Sequence, residues 1–404
     1  VKSILSILVF SFSAITSLTG VAQTKQLLIQ FDFYGDSVQL PLDPSSVINF
    51  DAPISEAAVQ NFYQTISQSQ YSPFLQQLLG YKTLYKLDDW LYFQLVRKTA
   101  QQISPKAANY DRYTLYKWFL LVKSGYDATL KLAGNRMLLY VQSNENIFEI
   151  PYYTKNGKQY VCLNYHDYGG NIDFAKETFK EVNITVPEAT CAFSYKVTKM
   201  PNFKPNDYTE KELGFNYADN DYHFKIKTTP QIQNLFANYP VVDYESCFNI
   251  PLSKETYQSL IPALKKNIKG LNTKSGVDYL MRFTRYAFLF EKDTDQFGKE
   301  KRMTPEQTLL YKQSDCEDRV ALFYYLVKEI YQLPMIVLVY PAHVTIAVKF
   351  DKPVGKPILY NGSQYSVCEP TPQALDLAVG QLLPNLQNQT FEVAFEYNPK
   401  RLNK

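Results

Sequence analysis

Cys316, His343 and Glu369 are the residues of this 404-residue chain whose types and order can do chemistry. A thiol, an imidazole and a carboxylate suit nucleophilic acyl transfer: sulfur attacks a carbonyl, the imidazole takes and returns the proton, and the acid holds the imidazole in its working tautomer. The cysteine stands in Ser314-Asp315-Cys316-Glu317-Asp318-Arg319, ahead of an apolar run over 320–330. Ser314 and Asp315 are N-capping types, and Glu317 and Asp318 suit the positive end of a helix dipole. A helix is therefore predicted to begin at or beside Cys316. Unpaired N–H groups at such a terminus favour a thiolate, whereas the adjacent acids oppose it.

The strands that must present the other two groups follow in order. His343 lies in Tyr340-Pro341-Ala342-His343-Val344-Thr345-Ile346-Ala347-Val348, β-branched and preceded by the apolar run 335–339, which predicts a strand starting at the histidine. Glu369 lies in Tyr365-Ser366-Val367-Cys368-Glu369-Pro370-Thr371, a strand ended by proline. The Cys316 N–H is one expected oxyanion donor, and Gln313 and Tyr311, just upstream, are candidates for a second by position. Glu317 and Asp318 are expected to serve the helix cap and its network. Arg319 either neutralises one of them or is solvated.

Cysteine at a helix start, histidine on one strand and an acid at the end of a later strand resembles the transglutaminase-like superfamily. The resemblance covers 271–380 and is carried by 314–326, 341–348 and 365–371. It implies an α+β chain with a papain-like core, a helix bundle packed on an antiparallel sheet, acting on peptide or protein amides, cell-wall peptides among them. The family usually places Asp where Glu369 stands, so the acid here is one methylene longer. Passing the acyl group to water gives a peptidase or amidase, and passing it to an amine gives a cross-link; water needs no second binding site. The competing reading is a non-catalytic binding or scaffold protein that keeps the fold, with Cys316 an inert core residue.

Other chemistries find little support. The sequence has no P-loop, dinucleotide fingerprint, GxSxG or HExxH, and its three histidines leave little material for a metal site, so neither metal nor cofactor is expected. The loop 293–298 has calcium-loop character, but Phe297 and Thr304 occupy ligand positions. A net charge of +3 argues against nucleic acid as the main partner. Residues 1–22 carry one lysine, an apolar stretch and small residues Gly20 and Ala22, the pattern of a secretory signal; a membrane anchor is the alternative. The mature chain is then expected to be exported, periplasmic or extracellular, with no transmembrane segment. Five cysteines permit two disulfides; Cys316 is taken as free, while Cys162, Cys191, Cys247 and Cys368 either pair or are buried.

Hydrophobic periodicity divides the chain into an α+β region over 23–181, a β-rich linker module over 182–251 and a region over 252–404, which the resemblance implies is a transglutaminase-like domain. The first region reads as a hairpin over 25–42 with a Gly35-Asp36 turn, helices over 55–79, 88–103 and 113–124, and strands over 129–132, 137–142 and 159–165. The linker has strands over 192–197 and 222–227, with His223 on a strand surface. Helices over 253–269 and 276–290 follow, then a capping box at Thr304-Pro305-Glu306-Gln307.

Sliding the first region onto the last by 205 residues matches Leu121-Val122-Lys123 to Leu326-Val327-Lys328, Asn156-Gly157 to Asn361-Gly362 and Gln159-Tyr160 to Gln364-Tyr365. Asp111, Leu138 and Asn164 then face Cys316, His343 and Glu369. Either the chain is duplicated with a degenerate N-terminal copy, or two aromatic-rich segments agree by chance. His166-Asp167, beside Gly169-Gly170, reads as a polar turn in preference to a second site.

Overall fold

The structure is a computed structural model that describes residues 26–169, 172–174, 176–290 and 301–399. The expected signal segment 1–22 and the loop 293–298 lie outside the described residues. Helices and antiparallel sheets alternate along the chain, giving a mixed α and β architecture.

The N-terminal half opens with the hairpin β1 (Leu27–Phe33) and β2 (Asp36–Leu42). Its turn is Tyr34-Gly35, one residue earlier than expected, with φ of 52° and 107°, and Gly35 leaves no room for a Cβ against the Asn202 carbonyl. Helices α1 (Glu56–Ser67), α2 (Ser72–Leu84), α3 (Asp89–Ile103) and α4 (Tyr110–Lys123) follow. The single helix expected over 55–79 is two, because Pro73 sits in the first turn of a new helix. Ser55, Asp88 and Asn109 cap α1, α3 and α4 with their side-chain oxygens. Next come β3 (Ala128–Ala133), β4 (Arg136–Ser143), β5 (Ile147–Phe148), β6 (Tyr152–Lys155), β7 (Lys158–Cys162) and β8 (Lys180–Glu181). Five of these form an antiparallel sheet in the order β6-β7-β4-β3-β8.

The strand expected over 192–197 is instead an extended tie. Its N–H groups go to acids: Ser194 to Asp89, Tyr195 to Glu145 and Thr198 to Asp88. Alternation alone does not distinguish such a tie from a strand, since both leave successive side chains on opposite sides.

The C-terminal half repeats the plan. The hairpin β9 (Thr209–Tyr217) and β10 (Asn220–Thr228) precedes α5 (Gln231–Phe236), β11 (Val241–Val242), α6 (Tyr244–Phe248), α7 (Lys254–Asn267) and α8 (Thr273–Tyr286). Then come β12 (Leu289–Phe290), α9 (Pro305–Leu310), β13 (Gln313–Ser314), α10 (Cys316–Tyr331), β14 (Met335–Tyr340), β15 (His343–Val348), β16 (Ile358–Tyr360), β17 (Ser363–Cys368) and β18 (Glu392–Tyr397). The sheet order β16-β17-β15-β14-β18 corresponds strand for strand to that of the first half. The hairpin of the 182–251 segment is a packed part of this half: Phe215 and Phe224 lie against the Phe283 ring of α8. The rest of that segment joins the halves, with β11 pairing to β5 and Trp90 donating to the Leu235 carbonyl.

In each half one helix is sandwiched between the sheet and the other helices. Every residue from Tyr113 to Val122 of α4, and from Asp318 to Val327 of α10, is buried. A helix enclosed all round must satisfy its polar side chains internally. Arg319 does so through main-chain carbonyls. It is fully buried and donates to the carbonyls of Thr284 (2.9 Å), Arg285 (2.8 Å), Phe288 (3.1 Å) and Leu289 (2.8 Å) at the end of α8. It is therefore not solvated, and the Asp318 charge acts favourably on it. Replacing it by methionine leaves those carbonyls unpaired. Arg319→Met is expected to destabilise the fold by about 3 kcal/mol or more, measured as a lower urea midpoint at an unchanged m-value.

Candidate active site

Helix α10 begins at Cys316, with Asp315 and not Ser314 as its cap. The Asp315 carboxylate accepts from the Asp318 N–H at 3.1 Å and the Asp318 carboxylate accepts from the Asp315 N–H at 3.2 Å, a reciprocal capping box. Asp318 also takes the Met303 N–H at 2.9 Å, and Glu317 takes Arg302 Nε and the Tyr244 hydroxyl, each at 2.9 Å. Both acids thus serve the helix terminus and its network. Ser314 is the last residue of β13, which runs parallel to β12 and fixes the approach to the cysteine.

His343 is the first residue of β15 and lies directly across from Tyr340 of β14. Glu369 follows β17 by one residue and is buried. His343 Nε2 and Glu369 Oε2 are 2.8 Å apart, so the longer acid reaches the ring. The other carboxylate oxygen accepts from the Thr371 N–H at 2.9 Å. An ionised carboxylate can only accept, so Nε2 carries the proton and Nδ1 is left as the basic nitrogen. Behind the acid, the buried Arg285 of α8 donates to the Glu369 carbonyl from Nε at 3.1 Å and Nη2 at 2.5 Å, while its Nη1 meets Asp376 at 2.7 Å.

The Cys316 thiol is in a less activating setting than a helix start alone implies. Burial, helped by the carboxylates of Asp315, Glu317 and Glu369, pushes it up to about 12; the Val344 N–H acts in the opposite sense. Cys316 and His343 are not hydrogen-bonded to each other, so the resting side chain is a neutral thiol beside an imidazole–carboxylate pair. The sequence drew attention to the dipole, but burial and three negative charges outweigh it here. Val344 and Arg285 were not legible as site residues; one acts through its main chain and the other sits 84 residues from Glu369.

Of the two upstream oxyanion candidates, Gln313 is fixed by its main chain and Tyr311 by two lysines. Gln313 is paired with Leu289 in the β12–β13 ladder. Tyr311 ends α9, with its carbonyl held by Lys211 at 2.8 Å and its hydroxyl by Lys301 at 3.3 Å. The Cys316 N–H remains the donor expected at the helix start. All five cysteines are free: Cys162, Cys247 and Cys368 are buried and Cys191 is exposed.

Strand register fixes which residues of the first half occupy the equivalent places. The turn closed by Ala133 and Arg136 corresponds to that closed by Tyr340 and His343, an offset of 207 that puts Arg136, not Leu138, at the histidine position. The caps Asn109 and Asp315 differ by 206, which puts Tyr110, not Asp111, at the cysteine position. The hairpins β6–β7 and β16–β17 keep the offset of 205, so Asn164 does face Glu369. There the Asn164 amide donates to the Tyr110 hydroxyl at 2.8 Å, and that hydroxyl donates to Asp167 at 2.9 Å. The first half thus holds a neutral hydrogen-bonded pair where the second holds sulfur, imidazole and carboxylate.

A thiol whose pKa is raised stays protonated through neutral pH. Iodoacetamide is therefore expected to alkylate Cys316 slowly at pH 7, with a rate still climbing above about pH 9, where a free thiol is already mostly ionised. Asp315→Asn keeps a capping side chain and removes one opposing charge, so its labelling curve should move to lower pH, read by peptide mass mapping.

Compared with known protein families, with curated proteins and with solved structures, the chain matches none.

Proposed function

We propose that the C-terminal half is a transglutaminase-like cysteine hydrolase with a papain-like core, a peptidase or amidase of exported peptides or proteins. The observation that carries this reading is the 2.8 Å bond from His343 Nε2 to Glu369, made on the strand whose Val344 N–H faces the Cys316 thiol at a helix start. Glu369 holds Nε2–H, and Nδ1 takes the thiol proton as sulfur adds to the amide carbonyl. The Cys316 N–H, at the first helical position, faces the developing oxyanion. The imidazolium then protonates the departing amine, leaving a thioester. Water, deprotonated by the same nitrogen, attacks the thioester, and a carboxylic acid and the thiol are released. Because the resting sulfur is protonated, proton transfer accompanies attack.

A cavity of about 730 Å³ beside Tyr340, Val367, Leu377 and Leu386 offers room for an apolar substrate group. Tyr340 is the cross-strand partner of His343, so their side chains leave the same face of the sheet. The first half, built on the same strand order without the three reactive side chains, reads as a duplicated copy kept for packing or binding. A scaffold role for the whole chain is the second reading, favoured by the raised thiol and by the missing cysteine–histidine hydrogen bond.

An activated ester separates the two. With p-nitrophenyl acetate, the hydrolase reading expects S-acetylation of Cys316 followed by turnover, abolished in Cys316→Ala, reduced by about 10²–10⁴-fold in His343→Ala and less in Glu369→Asp. Turnover and acetylation in the wild type no greater than in Cys316→Ala would leave the scaffold reading standing.

A further inference from the structure

A second cavity, of about 220 Å³, lies where the two halves meet, and it collects buried polar atoms that nothing in the fold satisfies. Tyr195 and Gln307 line it from opposite halves, and each is 1% exposed. The Tyr195 hydroxyl and the Gln307 Nε2 have no hydrogen-bond partner. His166, also on the wall, already has a partner, its Nε2 lying 3.2 Å from Asp167 Oδ1. Buried donors are normally paired, so two on one small cavity need a common explanation.

These groups are held in place by bonds they make elsewhere. Gln307 Oε1 accepts the Thr304 N–H at 3.0 Å in the cap of α9, so the amide cannot flip and Nε2 must face away from the cap. The Tyr195 ring packs 4.9 Å from Phe193 and 6.0 Å from Trp90, and its N–H is tied to Glu145 at 2.7 Å. Trp90, Phe148 and Tyr239 supply flat apolar walls, and Arg302, whose Nε is held by Glu317 and whose Nη1 by the Val242 carbonyl, brings the rest of its guanidinium to the lining. Two fixed donors and a cation on aromatic walls complement oxygen acceptors on a planar body.

We propose that this cavity binds a small aromatic carboxylate, its oxygens received by Tyr195 Oη, Gln307 Nε2 and the Arg302 side, and its ring by the Trp90 wall. The proposal does not rest on the hydrolase reading. It gives the junction between the halves a ligand-binding role.

The test uses the full chain with benzoate and indole-3-carboxylate as probes, followed by calorimetry and by ligand-observed NMR, with cyclohexylammonium as the counter-probe. Saturable binding of at least one carboxylate and none of the cation is expected. Tyr195→Phe keeps the ring and removes one donor, and Gln307→Glu keeps the capping oxygen and replaces the other donor by an acceptor. Each should weaken binding by about tenfold or more. Tyr195→Phe should also melt no lower than the wild type without ligand, because it removes an unpaired hydroxyl. Should one variant fail to fold by circular dichroism, the other decides. No carboxylate binding in the millimolar range, meaning a cavity that holds water only, would overturn the proposal. So would binding that both substitutions leave unchanged.

Discussion

Arg319 is fully buried and gives its hydrogen bonds to main-chain carbonyls, those at and just beyond the end of α8 and that of Ser314, with the Asp318 and Asp315 carboxylates also favouring its charge. Burial draws its pKa down to about 10, and the charges of Asp318 and Asp315 act in the opposite sense, so it stays charged at neutral pH. The rest of the C-terminal half is arranged around that attachment. It joins the first turn of α10, which holds Cys316, to the end of α8, which holds Arg285, and Arg285 in turn grips the Glu369 main chain. Sulfur and carboxylate come from chain segments more than fifty residues apart, yet they are referred to one rigid helix end.

The local pattern showed the three reactive residues and the elements that bear them. N-capping types before Cys316, β-branching after His343 and a proline behind Glu369 are short-range signals, and each fell where it was expected. What the pattern hid was tertiary. Arg319 reads as a surface charge next to two acids, because nothing nearby in sequence reveals that α8 ends against it. The helix over 55–79 was read through Pro73 because apolar spacing continues across the break. The dipole at Cys316 was visible in sequence, whereas the degree of burial that reverses its effect was not. The gapless comparison of the halves held for the outer hairpins but slipped by two residues in β3 and β4, since strand register follows turn length and not numbering.

The two halves show how one arrangement of elements tolerates different polarity at the same position. Tyr110 and Asn164 satisfy each other as neutral groups, and Asp167 takes the remaining hydroxyl proton. His343 and Glu369 are an imidazole–carboxylate pair bonded through one ring nitrogen, with the acid buried. The first arrangement closes its hydrogen bonds locally; the second keeps one acceptor in reserve.

The free state of all five thiols bears on the surroundings in which the chain can stand. No covalent bridge supports the fold, so neither a glutathione buffer nor an oxidising lumen adds to or subtracts from its folded-state energy. Cys162, Cys247 and Cys368 are enclosed and pushed well up in pKa by burial, which keeps them out of thiol–disulfide exchange. Cys191, at the surface beside the start of the 192–197 tie, is the thiol that meets the solvent's redox potential directly, and a change of compartment would be written there first.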